Sequence, residues 1–107
     1  MKKDKAVNLV EKVLKDHKAE NVETIDVSEK TPFANYYILA TANNARHLGA
    51  LKEIVEEELE KNKIAINHIE GKAQSGWILI DAYHLIINIF SQEERDRLNI
   101  SELLSRK

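Results

Sequence analysis

Residues 36–42 constrain the fold more than any other segment, because apolar side chains occupy both faces of this short stretch. Its sequence is YYILATA, in which Tyr36 and Ile38 alternate with Tyr37 and Leu39. Successive side chains of a strand point to opposite faces of a sheet, so a strand of this kind needs a cover on each side. The segment therefore predicts an interior strand of a sheet that is covered on both faces.

A polar loop and an amphipathic helix follow this strand directly. Asn43 or Asn44 can cap the helix, because an asparagine side-chain oxygen accepts hydrogen bonds from the free N–H groups of a first turn. Apolar residues then recur at helical spacing as far as Leu59, which predicts a helix ending near Asn62. A strand, a helix and a further strand predict a right-handed parallel crossover.

Apolar periodicity divides the rest of the chain into five more elements. These are a helix over 3–19, a strand over 22–27, and Ile-rich strands over 63–70, 76–81 and 84–90. The last two strands are close enough to form an antiparallel hairpin. The expected fold is an α/β single domain spanning residues 1–107, with a mixed sheet of about five strands flanked by helices.

The C-terminal segment is predicted to be helical as well. One or two short turns should run from Gln92 to about Leu104. Their apolar residues, which should pack back on the sheet, are Leu98, Ile100, Leu103 and Leu104.

The composition limits the possible partners and the compartment. With 16 Lys plus Arg against 18 Asp plus Glu, the formal net charge is −2. Nucleic-acid binding normally needs a basic surplus, so extensive RNA binding is disfavoured and a basic protein partner is favoured. The absence of Cys excludes disulfides and thiolate chemistry. No apolar run is long enough to cross a membrane, and we expect a cytoplasmic location.

Two blocks carry aromatic, acidic and basic residues in a distinctive order. Their positions are Asp26, Asn35-Tyr36-Tyr37, Arg46-His47, Glu70-Gly71, Trp77, Asp81 and Arg95. Together these blocks resemble the ribosomal silencing factor family, also called RsfS or Iojap-like proteins. The resemblance spans residues 22–104.

This resemblance implies a translation repressor that is not an enzyme and needs no cofactor. Members of the family bind a large-subunit ribosomal protein at the subunit-joining face and block association with the small subunit. Several members are described as dimers. The implied fold is similar to that of nucleotidyltransferases, without their catalytic residues.

The chain departs from the family in the turn after Asp81. The family usually continues with an aromatic residue, glycine and aspartate, whereas this chain has Ala82-Tyr83-His84. Glycine adopts positive φ at little cost in a tight hairpin, so Tyr83 predicts a different turn geometry or some strain. Asn88 also replaces a common histidine.

The resemblance and the loop chemistry together give a set of candidate partner-binding residues. Trp77 leads the set, because large aromatic side chains dominate interface energetics, although a purely structural role in the core is also open. Lys72 offers a cation on the loop before Trp77, and Arg46 and His47 open a helix. The full set is Trp77, Lys72, Gly71, Asp81, Tyr83, Arg46 and His47.

Two alternatives belong to other functional classes. In the first, Asp26 and Asp81 bind Mg²⁺ and a nucleotide in a nucleotidyltransferase-like enzyme. In the second, the chain is a homodimerisation module whose exposed strand pairs with its twin. The four histidines lie on separate elements without ligand spacing, so no transition-metal site is predicted.

Overall fold

A computed structural model describes residues 5–98, with side chains as far as Arg97. The elements are α1 (Lys5–Asp16), β1 (Glu20–Asp26), β2 (Tyr36–Ala42), α2 (Ala45–Lys61), β3 (His68–Lys72), a 3-10 turn (Ala73–Ser75), β4 (Trp77–Ala82), β5 (Leu85–Ser91) and α3 (Gln92–Leu98). The helical continuation predicted as far as Leu104, with Ile100 and Leu103, lies outside the described residues.

The five strands form one mixed sheet in the order β1-β2-β5-β4-β3. Only β2 and β5 pair in parallel, and the other three neighbouring pairs are antiparallel. The predicted α/β class, mixed sheet and final hairpin are confirmed. The likeness to nucleotidyltransferases stays a prediction.

The parallel crossover from β2 to β3 spans more strand positions in the sheet than the order of elements along the chain suggests. Helix α2 leaves β2 and the chain enters the sheet again at β3, which is parallel to β2 but lies at the far edge. The β4–β5 hairpin then fills the gap, so that β5 becomes the parallel neighbour of β2. Strand β2 is thereby placed in the interior, as its apolar pattern requires.

The two faces of the sheet are covered differently. On the helix face, α1 and α2 pack through residues such as Leu14 and Leu51 against Ile38, Ile80 and Ile87, all fully buried. The opposite face carries the alternate residues of each strand, and its buried members are Leu39, Thr41, Asn88 and Phe90. Helix α3 meets the opposite face at the end where β4 begins.

Strand β3 begins later than the sequence pattern predicts. Lys63 adopts a left-handed conformation with φ of 59°. Its N–H donates to the Glu60 carbonyl at 3.1 Å, and the Ile64 N–H donates to the Leu59 carbonyl at 2.8 Å. This pair of bonds closes the end of α2, so the residues predicted to start the strand are used instead to leave the helix.

Candidate functional site

A groove of about 360 Å³ opens on the opposite face, where β3 and β4 meet α3. Its walls combine an aromatic ring, an aliphatic side chain and three charged side chains. The lining residues are Glu70, Gly71, Ser75, Trp77, Leu79, Glu94 and Arg97. Two of the predicted residues, Gly71 and Trp77, therefore meet at this place.

Trp77 is half-buried and fixed in orientation beside the groove. Its ring stacks on Phe90 with centroids 5.5 Å apart and an interplanar angle of 30°. The indole Nε1 donates to Asn88 Oδ1 at 3.1 Å. Asn88 is itself buried, and its Nδ2 has no hydrogen-bond partner among the described residues. Trp77 therefore packs against the interior and also lines the groove.

Two glycines allow close packing at or beside the groove. Gly71 has φ of 90°, and a Cβ there would lie 2.1 Å from the Trp77 carbonyl oxygen. Gly76 has φ of 82°, and a Cβ there would lie 2.8 Å from Ser91 Oγ and 2.9 Å from Glu94 Cγ. Both positions favour glycine for conformation and for space. Gly71 thus allows the close approach of β3 and β4.

The first turn of α3 forms the charged wall. Ser91 Oγ accepts a hydrogen bond from the Glu94 N–H at 3.2 Å and so caps this turn. Arg97 donates to the Glu94 carboxylate through Nε at 3.0 Å and through Nη2 at 2.9 and 2.6 Å. Glu70 lines the groove from β3, and its Oε2 lies 2.6 Å from His68 Nε2.

The remaining predicted residues divide between the two ends of the sheet. Lys72 is exposed and is the cross-strand partner of Trp77, so both lie on the opposite face. Arg46 is exposed in the first turn of α2, at the same end of the sheet. Asp81 and Tyr83 lie toward the other end of β4, about 13 Å and up to about 20 Å from Trp77 along the strand.

Asp81 organises the turn between β4 and β5. Its Oδ1 accepts a hydrogen bond from the Tyr83 N–H at 2.9 Å, and its Oδ2 accepts one from Asn67 Nδ2 at 3.2 Å. Tyr83 has φ of 66° and is 55% exposed. The strain predicted for this turn is therefore present, and the Asp81 carboxylate stabilises it.

His47 joins the ends of two helices. Its Nδ1 accepts a hydrogen bond from the Asn43 N–H at 2.9 Å, and its Nε2 lies 2.9 Å from the His17 carbonyl oxygen. A carbonyl oxygen accepts only, so Nε2 carries the proton in this arrangement. Asn44 Oδ1 caps α2 by accepting from the His47 N–H at 2.8 Å, as predicted. Both ring nitrogens of His47 are therefore engaged inside the protein.

The pairing of Asp26 with Asp81 in one metal site is wrong. Asp26 aligns with Tyr36 on the helix face, whereas Asp81 aligns with Ile86 on the opposite face. Their strands are also three spacings apart, about 14 Å. One cation cannot bridge carboxylates on opposite sides of a sheet. Among the described residues, no three His, Cys, Asp or Glu come together as metal ligands.

Asp26 instead closes its own turn. Its Oδ1 accepts hydrogen bonds from the Ser28 hydroxyl at 2.6 Å and the Ser28 N–H at 2.9 Å. These two bonds, the hydroxyl bond first, lower the pKa of Asp26 below its ordinary value of 3.8.

Several groove residues are not predicted from the sequence. Leu79, Glu94 and Arg97 line the groove, and Asn88 orients the indole. A usable signal exists for Leu79, because it stands two residues after Trp77 and so shares its face. The other three come near Trp77 only through the order of the strands, which no local pattern reveals.

Comparison with known proteins places the chain in a family. The profile of the family described as "Ribosomal silencing factor during starvation" matches residues 1–107. The chain belongs to this family. A ribosomal silencing factor of Bacillus subtilis is 23% identical over 88 residues, which cover 82% of this chain and 75% of that protein. One from Zymomonas mobilis is 27% identical over 97 residues, which cover 91% of this chain and 73% of that protein.

A solved structure agrees with the assignment. The crystal structure of a Chromobacterium violaceum protein superposes with a TM-score of 0.92 at 25% identity, over 100% of this chain and 89% of that one. Family membership supports a ribosome-associated silencing role, and the family is named for silencing rather than for an enzymatic reaction. In the part of the chain described, no helix is long and apolar enough to cross a membrane.

Proposed function

We propose that this silencing factor binds a basic protein of the large ribosomal subunit through the Trp77 groove. Once bound there, the silencing factor blocks association of the large subunit with the small subunit. The observation that carries the proposal is the state of Trp77, whose ring is held by Phe90 and Asn88 and yet lines an open groove. A side chain fixed before binding loses little conformational entropy on binding, which favours affinity.

The charges around the groove support a basic partner. Among the lining residues, Glu70 and Glu94 contribute two carboxylates and Arg97 one guanidinium, while the Lys72 ammonium lies beside Trp77 outside the lining. The whole chain carries a formal charge of −2. Complementary charge speeds the approach of a basic protein and fixes its orientation.

The mechanism is steric and requires no chemical step. The described body measures 33 × 33 × 23 Å. While it occupies the joining face, a competing subunit is excluded by mass action. The proposal needs no cofactor, involves little direct contact with nucleic acid and places the action in the cytoplasm.

Sedimentation with isolated ribosomal subunits tests the proposal. We expect the protein to co-sediment with the large subunit and not with the small one. Trp77→Ala should weaken this binding roughly 30-fold, because a central aromatic contributes about 2 kcal/mol. Phe33→Ala is the matched control, since Phe33 is an aromatic that is 85% exposed on the loop before β2. Co-sedimentation with neither subunit would reject the proposal.

Self-association stays a separate prediction. Strand β3 is an edge of the sheet and offers unpaired backbone groups to a second copy. Light scattering across a range of concentrations tests it, because a mass of 12.3 kDa at every concentration rules out a dimer in that range.

A further inference from the structure

We infer that Arg95 is a positioning residue that holds α3 in place and so sets the charged wall of the Trp77 groove. The inference rests on the proposed function for its effect on binding. Its structural part, the coupling of Arg95 to Trp77, stands independently. Arg95 does not line the groove itself.

The Arg95 side chain ties α3 to the two strands farthest from the groove. It is only 11% exposed. Its Nη1 donates to Thr41 Oγ1 at 2.9 Å and also to the carbonyl oxygen of Asn21, while Nη2 pairs with the Glu23 carboxylate. One guanidinium thereby links α3 to both β1 and β2.

Strand β1 is shaped to supply this contact. Its register against β2 shifts between Glu20 and Glu23, and Asn21 within that bulge has φ of 48°. A bulge leaves a residue outside the regular ladder, which releases the Asn21 carbonyl for Arg95. Thr41 is fully buried, and its hydroxyl oxygen accepts from Arg95. The partners of Arg95 are therefore fixed by the sheet.

The position of the groove wall follows from this anchor. Successive residues of a helix point about 100° apart, so Arg95 and Glu94 project from α3 in different directions. Arg95 holds one side of the helix, and Glu94 with Arg97 faces the groove on another. Besides this anchor, the first turn of α3 is held by the Ser91 cap and lies against β5, with Glu94 close to Gly76. Without the anchor, the wall shifts relative to Trp77.

Tryptophan fluorescence reads this coupling directly, because Trp77 is the sole tryptophan of the chain. Arg95→Ala should raise quenching of Trp77 by acrylamide and weaken binding to isolated large subunits about 10-fold, the size of a displaced contact. Thr41→Val removes the hydroxyl acceptor of the same anchor, and Glu23→Gln removes the negative charge that pairs with Arg95. Both changes should move both measurements in the same direction. They also keep the test valid if Arg95→Ala does not fold.

Lys12→Ala is the control. Lys12 forms an ion pair with Asp16 at 2.8 Å on α1, far from the groove, and its loss should leave quenching and binding unchanged.

A double-mutant cycle separates positioning from general stability. If Arg95 acts through the groove, Arg95→Ala should cost little further affinity once Trp77→Ala is present. Fully additive losses, or unchanged quenching in all three anchor variants, overturn the inference. If the wild-type protein binds neither subunit, the proposed function fails, while the quenching measurement still decides whether Arg95 sets the groove.

Discussion

At the scale of single residues, His47 is a polar side chain at a helix start that links two helix ends. It was a candidate for partner contact, but both of its ring nitrogens bond to backbone groups of the protein itself. Arg46, its neighbour in sequence, is exposed. Two adjacent residues that look equally available in the sequence therefore have different surroundings.

His47→Ala should lower the free energy of unfolding by about 0.5–1.5 kcal/mol, because the Asn43 N–H and the His17 carbonyl lose their partner and bond to water instead. Arg46→Ala, one position away, should change it by less than about 0.5 kcal/mol. Urea denaturation of both variants measures the difference. Equal effects would show that the His47 bonds contribute nothing to stability.

Gly71 is a second case at this scale. Gly71→Ala should destabilise the protein by more than about 2 kcal/mol, because the residue has φ of 90° and the added Cβ would overlap the Trp77 carbonyl. Gly49→Ala is the comparison, since a Cβ there would meet Ala73 Cβ at an ordinary 3.7 Å. In a helix that change should be neutral or stabilising by up to about 1 kcal/mol. Thermal unfolding of both variants checks the contrast.

At the scale of elements, the chain forms left-handed turns without glycine. Lys18 and Lys63 end α1 and α2 with φ of 69° and 59°. The bonds that close α1 run from the Lys18 N–H to Lys15 and from the Ala19 N–H to Leu14, at 3.1 and 2.9 Å. A lysine gives no local signal for this conformation, which is why the end of α2 was predicted near Asn62 but the start of β3 was not.

Tyr83→Gly should raise the free energy of unfolding by about 1 kcal/mol, because a residue with φ of 66° in the β4–β5 turn gains from losing its Cβ. Tyr83→Ala removes the ring but keeps the Cβ, and so should not give this gain. Chemical denaturation of the two variants distinguishes them. A gain of the same size in both would assign the effect to the exposed ring instead.

At the scale of the whole molecule, the elements could be predicted from the sequence more fully than their arrangement. The apolar pattern of residues 36–42 predicts that β2 lies inside the sheet. Asn44 predicts where α2 begins. The strand order could not be foreseen, since the insertion of β5 between β2 and β4 depends on pairing between distant segments. Trp77 was found by resemblance, whereas Glu94 and Arg97 required the assembled sheet.

Arg95 contacts Thr41, which lies 54 positions earlier in the chain, and Asn21, which lies 74 positions earlier. Domains fold as units while synthesis proceeds from the N-terminus, and contacts of such long range can form only after both partners have left the exit tunnel. Strands β1 and β2 are therefore synthesised before α3, which completes the contact. A partly synthesised copy that lacks α3 therefore has Trp77 without the charged wall of Glu94 and Arg97, and so without the complete groove.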